Sequence, residues 1–309
     1  MKKFLPYSNN SHKQAILALI IANIIWGAAS PIFKLALQNI PPFTLAFLRF
    51  WGATFILLPF VIKDLWISRS DWLKIFLVAF FGITINITFF FLGLEKAPSI
   101  NAPVIACSGP IFIYLFSILF LKEKPHKKVL TGLIVSLIGV LIIVIQPLLN
   151  KSLDGQIIGN LFFILATLGA VGHAIFSKEI IDKYKPITVT FWSFVIGTIT
   201  FTPFFLKEVW YNNPFYALDY RGWTGLVFGI FLSSALAYYL FEWGTKKIEA
   251  QEIGLFTYID PLVAAIIAVP LLGEKITLVF VLGSLLVFLG ISLAENRFHY
   301  HPFHKLRDN

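Results

Sequence analysis

Residues 129–150 read VLTGLIVSLIGVLIIVIQPLLN, and residues 276–294 read ITLVFVLGSLLVFLGISLA. Neither stretch holds a charge, and each has about the length a helix needs to cross the hydrocarbon core at ~1.5 Å per residue. Six further uncharged windows run over 14–33, 75–94, 97–121, 155–177, 186–206 and 222–241. Two more, 44–62 and 253–273, carry one charge each, Arg49 and Asp260. Only 13% of the 309 residues are charged and 58% are hydrophobic, a balance that excludes an ordinary water-soluble globule. Backbone groups in lipid must be satisfied within the segment or in a closed barrel. These runs are too long and too continuously apolar for barrel strands of about 10 residues. The expected fold is an all-α integral membrane protein with ten transmembrane helices.

The basic residues set the expected orientation. Alternate loops collect 18 of the 25 Lys and Arg on the side of both termini and 6 on the other, with Arg49 inside a helix. By the positive-inside bias both termini are cytoplasmic, which also accounts for the net charge of +9 without nucleic acid. An N-terminal cleavable signal is disfavoured by the polar lead-in to Lys13 and by Pro31 after Ala28, Ala29 and Ser30. The single cysteine, Cys107, rules out a disulfide framework.

The chain also repeats itself. A shift of 151 residues superposes Trp72 on Trp223, Phe90 on Phe241, Pro110 on Pro261, Glu123 and Lys124 on Glu274 and Lys275, Gly132 on Gly283 and Gly139 on Gly290. A shift of 144 superposes Lys34 on Lys178, Pro42 on Pro186, Phe50 on Phe194 and Pro59 on Pro203. The expected organisation is a cytoplasmic segment over 1–13, two five-helix repeats over 14–150 and 151–294, and a cytoplasmic tail over 295–309. Because five is odd, the second repeat enters the membrane from the opposite side. Inverted repeats of this kind carry alternating access around a midplane site in many secondary transporters.

Trp26-Gly27 followed by Pro31 and Lys34, the 42–50 stretch ending in Arg49-Phe50, the mid-helix Pro110 and Pro261, and Glu123 and Glu274 together resemble the EamA branch of the drug/metabolite transporter superfamily. The resemblance covers both repeats, from Ile16 to Leu293. It implies a ten-helix basket, a cavity lined mainly by helices one, three, four, six, eight and nine, and movement of small metabolites. Two departures break the symmetry: Arg49 faces Ser193 in the second repeat, and Trp26 faces Ala170.

The expected substrate pathway comprises Trp26, Ser30, Asn86, His173 and Asp260. On helix one, Asn23, Trp26, Ser30 and Lys34 fall at spacings of three and four, on one face. The indole of Trp26 can stack on a flat or cationic solute, or simply pack. Asn86 suits a structural hydrogen bond as well as a substrate contact. His173 can relay protons or satisfy a local bond. Asp260, directly before Pro261, is the coupling candidate: a carboxylate beside a proline break can hold a proton, a cation or a substrate amine, unless it pairs with a neighbour such as His173. Lys34, Arg49, Pro110, Pro261, Glu123 and Glu274 are expected to be structural or gating, with Lys34 free to snorkel to the interface and Glu274 placed near Lys275.

The function expected is secondary-active transport of an amino acid, amine or drug-like solute, in a bacterial cytoplasmic membrane. A lipid flippase is the alternative, and an integral-membrane enzyme a more distant one, since the chain has no HExxH, GxSxG or GxxxxGK[ST] motif. Expected partners are a small-molecule substrate and the bilayer, not nucleic acid, with a homodimer open to it. No cofactor or metal is expected, the tail cluster His299, His301 and His304 lacking a completing acid or cysteine.

Overall fold

The computed structural model describes residues 9–109, 127–149, 155–177, 183–211, 218–245 and 256–294, with isolated positions between them. Among these the chain is helical, without strands. Among the described residues the helical elements are, in order, α1 (Asn9–Ala36), α2 (Pro42–Val61), α3 (Arg69–Lys96), α4 (Asn101–Ala106), α5 (Lys127–Leu149), α6 (Gln156–Ser177), α7 (Pro186–Tyr211), α8 (Tyr220–Gly244), α9 (Ile259–Leu272) and α10 (Leu278–Ala294). Seven of them, α1 to α3 and α5 to α8, are long and apolar enough to cross a membrane. The helices α9 and α10 are shorter apolar helices, and of the fourth window only α4 and its first turn beyond are described. Pro110, Glu123, the tail histidines and the terminal segments 1–8 and 295–309 lie outside the described residues.

Local sequence explains the boundaries. Both α2 and α7 start on a proline, Pro42 and Pro186, whose missing N–H would have been an orphan there in any case. The helix α9 stops at Gly273, which takes φ 67°, with Gly273 N bonded to Val269 O at 3.1 Å and Glu274 N to Ala268 O at 3.4 Å. That left-handed stop suits glycine, and it delivers Glu274 at a fixed place just beyond the helix.

Helix packing follows the repeat. Extensive interfaces pair α5 with α10 and α2 with α7, each helix with its own counterpart. The pairing of α1 with α8 has its counterpart in α6 with α3, and α1 with α9 in α6 with α4. The α5–α10 seam is built from small residues. A Cβ on Gly290 would lie 2.3 Å from Ser136 N, and one on Gly139 2.6 Å from Gly283 O, so the backbones are in direct contact. Between α2 and α7 the seam is aromatic instead, with Phe47 stacked on Phe205 at 4.1 Å and Phe50 against Phe194 at 5.2 Å.

Two features recur at related places in α3 and α8. Each contains a stretch wound as π-helix, Phe80–Ile85 and Phe228–Leu236, and the 151-residue shift lays one over the other. Each is also preceded by exposed aromatic residues, Trp66 and Trp72 in one case and Trp210, Tyr211, Tyr220 and Trp223 in the other. Exposed indole and phenol rings at helix ends fit the polar–apolar boundary of a bilayer.

Candidate functional site

A cavity of about 410 Å³ lies where the two repeats meet. It is lined from α1 (Trp26, Ala29, Ser30, Phe33), α3 (Asn86, Ile87, Phe90), α4 (Ala102, Pro103, Ala106), α6 (Phe163, Thr167 and neighbours), α8 (Ser233, Tyr238) and α9 (Asp260). These are the helices the family resemblance implies. Arg49 adds α2 to the wall.

Four of the five expected pathway residues, Trp26, Ser30, Asn86 and Asp260, line this cavity. Trp26 is fixed on three sides. Its Nε1 donates to Ser233 O at 3.1 Å, Tyr238 meets its ring edge-on at 5.3 Å, and Phe241 lies at 4.9 Å. The acceptor carbonyl belongs to the π-wound stretch of α8, where the helical hydrogen-bond ladder is shifted by one residue. Asn86 follows the π stretch of α3 and donates to Ala166 O at 2.8 Å, a tie between α3 and α6. The hydroxyl of Ser30 is buried and makes no hydrogen bond among the described residues.

His173 does not belong to the lining. Its Nδ1 pairs with Val78 O at 3.0 Å, and its ring fills the space beside Gly82. Gly82 corresponds to Ser233 under the 151-residue shift, so the same gap holds a histidine ring in one half and a hydroxyl in the other. The pairing of Asp260 with His173 is therefore not made. Asn23 is also off the wall, donating to Leu19 O within its own helix at 2.8 Å.

Asp260 stands in the first turn of α9, and Pro261 follows in that same turn. A turn at 257–258 separates Phe256, itself helical, from α9, and at the helix start so formed the missing N–H of Pro261 leaves no hydrogen bond unmade. The positive end of the helix dipole still favours a carboxylate there. Asp260 Oδ1 is buried without a hydrogen-bond partner among the described residues. The acid is held close to α1, since a Cβ on Gly27 would sit 2.8 Å from the Asp260 carbonyl oxygen. Under the repeat its counterpart is Gly109, which also lines the cavity.

Arg49 is 3% exposed. Its Nε donates to Ser234 Oγ at 2.7 Å and its Nη2 to Ser233 Oγ at 3.1 Å, while the Phe33 and Phe50 ring centroids lie 4.9 and 4.8 Å from its central carbon. Guanidinium against aromatic faces is a favourable arrangement away from water.

At the end of the cavity marked by Lys34, three turns converge. Glu274 Oε1 accepts from Ser99 N at 2.7 Å and Oε2 from Ile100 N at 3.1 Å, just ahead of α4. Lys34 Nζ reaches Ala97 O and lies 3.7 Å from Glu274. Lys34 therefore does not snorkel freely, and Glu274 pairs with Lys34 rather than with Lys275. Elsewhere on the same end, Glu208 of α7 accepts from Phe43 N, Thr44 N and Thr44 Oγ1 at 3.2, 2.6 and 2.9 Å, closing the start of α2. On the opposite end Asp71 takes Lys183 at 3.1 Å and Tyr184 at 2.9 Å, and Lys185 meets Asp64 at 2.7 Å. Sequence reasoning missed Tyr238 as a wall residue, whereas Ser233 lies on the face of α8, with Ala237, Phe241 and Gly244, whose small residues suit a cavity wall or a close helix contact.

A multi-pass helical membrane protein with a central cavity between two related halves is the architecture of a membrane transporter. The comparisons with known proteins agree. The EamA-like transporter family matches twice, over residues 13–145 and 157–295, and the chain belongs to that family. It is 30% identical to an uncharacterized transporter of Archaeoglobus fulgidus over 286 residues, 92% of this chain and 99% of the relative. It is 26% identical over 299 residues to a probable amino-acid metabolite efflux pump of Escherichia coli, covering 91% of this chain and 94% of that one. A solved crystal structure aligns with a TM-score of 0.62 at 17% identity, over 91% of this chain and 96% of the other, a likeness of fold.

Proposed function

We propose that the protein is a secondary-active transporter that carries a small metabolite, an amino acid, amine or drug-like solute, by alternating access through the central cavity. The ten-helix, inverted-repeat arrangement, both termini in the cytoplasm and residence in a bacterial cytoplasmic membrane belong to this reading. The observation that carries it is the position of the cavity: both halves contribute walls, so rocking one half against the other would open it to either face in turn. Trp26, Ser30, Asn86 and Asp260 are the solute-contacting groups of this reading, and Lys34 with Glu274 latches one face. Asp260, a carboxylate with an unpaired oxygen in an apolar setting, is the coupling group, taking up a proton or a cationic part of the solute. The Escherichia coli relative, named as an amino-acid metabolite efflux pump, supports solutes of that size.

The test is counterflow by the purified protein in liposomes against amino acids and cationic metabolites, with and without a pH gradient. Exchange that responds to the gradient in the native protein and ceases to respond in Asp260→Asn is the expected result. An unchanged pH response in that variant would sink the coupling role. Absence of exchange for every solute, together with scrambling of labelled lipid, would replace transport of solutes by a flippase.

A further inference from the structure

We infer that Arg49 is the solute-recognition group of the cavity, binding a carboxylate on the transported molecule, so that amines without a carboxylate are poor substrates. This rests on the transport reading above and narrows its substrate class.

The first observation is a missing counter-charge. Ion pairs among the described residues include Lys34–Glu274, Lys183–Asp71, Lys185–Asp64 and Arg221–Asp219, and Arg49 is in none of these. A guanidinium kept purely for structure inside a bilayer would be expected to face a carboxylate on a neighbouring helix. Asp260 lines the same cavity and does not serve, its Oδ1 being unpartnered. No ion pair joins the two across the cavity. Ser233 and Ser234 draw Arg49 toward α8, and the close crossing at Gly27 fixes Asp260 against α1.

The second observation is that the fold does not require a cation at this place. The counterpart of Arg49 in the second repeat is Ser193, on α7, which packs against α2 as its symmetry mate. The charge is thus an addition to one half only, as Asp260 is to the other half, where Gly109 is its counterpart.

The third is the donor count. Of five guanidinium N–H groups, the two serines take one on Nε and one on Nη2. The outer edge formed by Nη1 and the second Nη2 proton has no acceptor among the described residues, and Arg49 borders the cavity. A planar fork with that edge free matches a carboxylate by two parallel hydrogen bonds, which a lysine cannot reproduce. A zwitterion would place its ammonium at Asp260, and a simple carboxylate would use Arg49 alone. Both share the group that Arg49 reads.

Two matched trios test this: phenylalanine, 3-phenylpropionate and 2-phenylethylamine, and leucine, 4-methylpentanoate and isoamylamine. Binding to the purified native protein is measured calorimetrically, and counterflow is measured in liposomes. The carboxylate-bearing members of at least one trio should bind about tenfold or more tightly than the matched amine. Arg49→Lys should erase most of that preference. Arg49→Gln should abolish the preference, and if that variant fails to fold the native ratio and Arg49→Lys still decide. Amines that bind as well as carboxylates, a folded Arg49→Lys protein with the native ratio, or no binding by any member would overturn the assignment. The expected ratio in binding without any counterflow would refute transport and leave the role of Arg49 standing.

Discussion

Removing the Glu274 carboxylate should open the Lys34 face of the cavity. In the structure that side chain receives two backbone N–H groups, Ser99 at 2.7 Å and Ile100 at 3.1 Å, and has Lys34 at 3.7 Å. Hydrogen bonds to an ionised acceptor contribute about 1.5–3 kcal/mol each. The ion pair adds ~0–1 kcal/mol, because Lys34 is partly exposed. Taking the low ends, Glu274→Ala weakens the closed form by about 3 kcal/mol, roughly a 100-fold shift toward the open form. Ser30, one turn below Lys34, lines the cavity and leaves its hydroxyl unbonded, so Ser30→Cys in a Cys107→Ser background places a reporter thiol there at little structural cost. The assay is the labelling rate with a membrane-impermeant maleimide, in vesicles of each orientation. Glu274→Ala should accelerate labelling by about two orders of magnitude from the face remote from the termini, and Glu274→Gln, which keeps one acceptor oxygen, by less. A folded Glu274→Ala protein that labels no faster than its parent would refute the latch, and faster labelling only from the face of the termini would refute its placement.

Two further outcomes follow from the packing and the caps. Gly290→Ala places a methyl carbon 2.3 Å from Ser136 N, backbone that cannot turn aside, so the melting midpoint should fall by an amount equivalent to about 1–3 kcal/mol, and an unchanged midpoint would show the seam to be looser than described. Asp219 caps α8 by accepting from Arg221 N at 2.8 Å, and the hydrogen bonds from the Arg221 side chain hold its carboxyl below the usual carboxylate range. A depressed folded-state value stabilises above the unfolded one and ceases to do so as pH falls through the folded one. The gap in melting midpoint between native protein and Asp219→Ala should therefore be largest near neutrality and close below about pH 4; a gap independent of pH would remove the charge from the cap.

Much of the architecture was legible because lipid imposes a coarse rule. Absence of charge over about 20 residues needs no tertiary context to be read, and the duplication that pairs α5 with α10 shows as matched Gly132, Gly139, Gly283 and Gly290. Trp26, Ser30, Asn86 and Asp260 could be picked out as polar exceptions on apolar faces, and all four meet in one cavity. The π-wound stretches were not legible: one extra residue per turn leaves no mark in a window where almost every residue is apolar. The Lys34–Glu274 latch joins residues 240 positions apart, with no local pattern to connect them. Pro261 was read as a break in the ninth span, and α9 begins at Ile259, two residues before it, because a proline sits comfortably in a first turn and poorly in a middle one.

The glycine seam between α5 and α10 has a mechanical consequence. Helices whose backbones touch, Gly139 against Gly283 and Gly290 against Ser136, have no side-chain layer between them to slide or rotate upon. The pair acts as a rigid mast outside the cavity wall, since neither helix lines it. Any swing that exposes the solute must then hinge around that mast, with the bending taken up by the helices that carry Trp26, Asn86, Ser233 and Asp260.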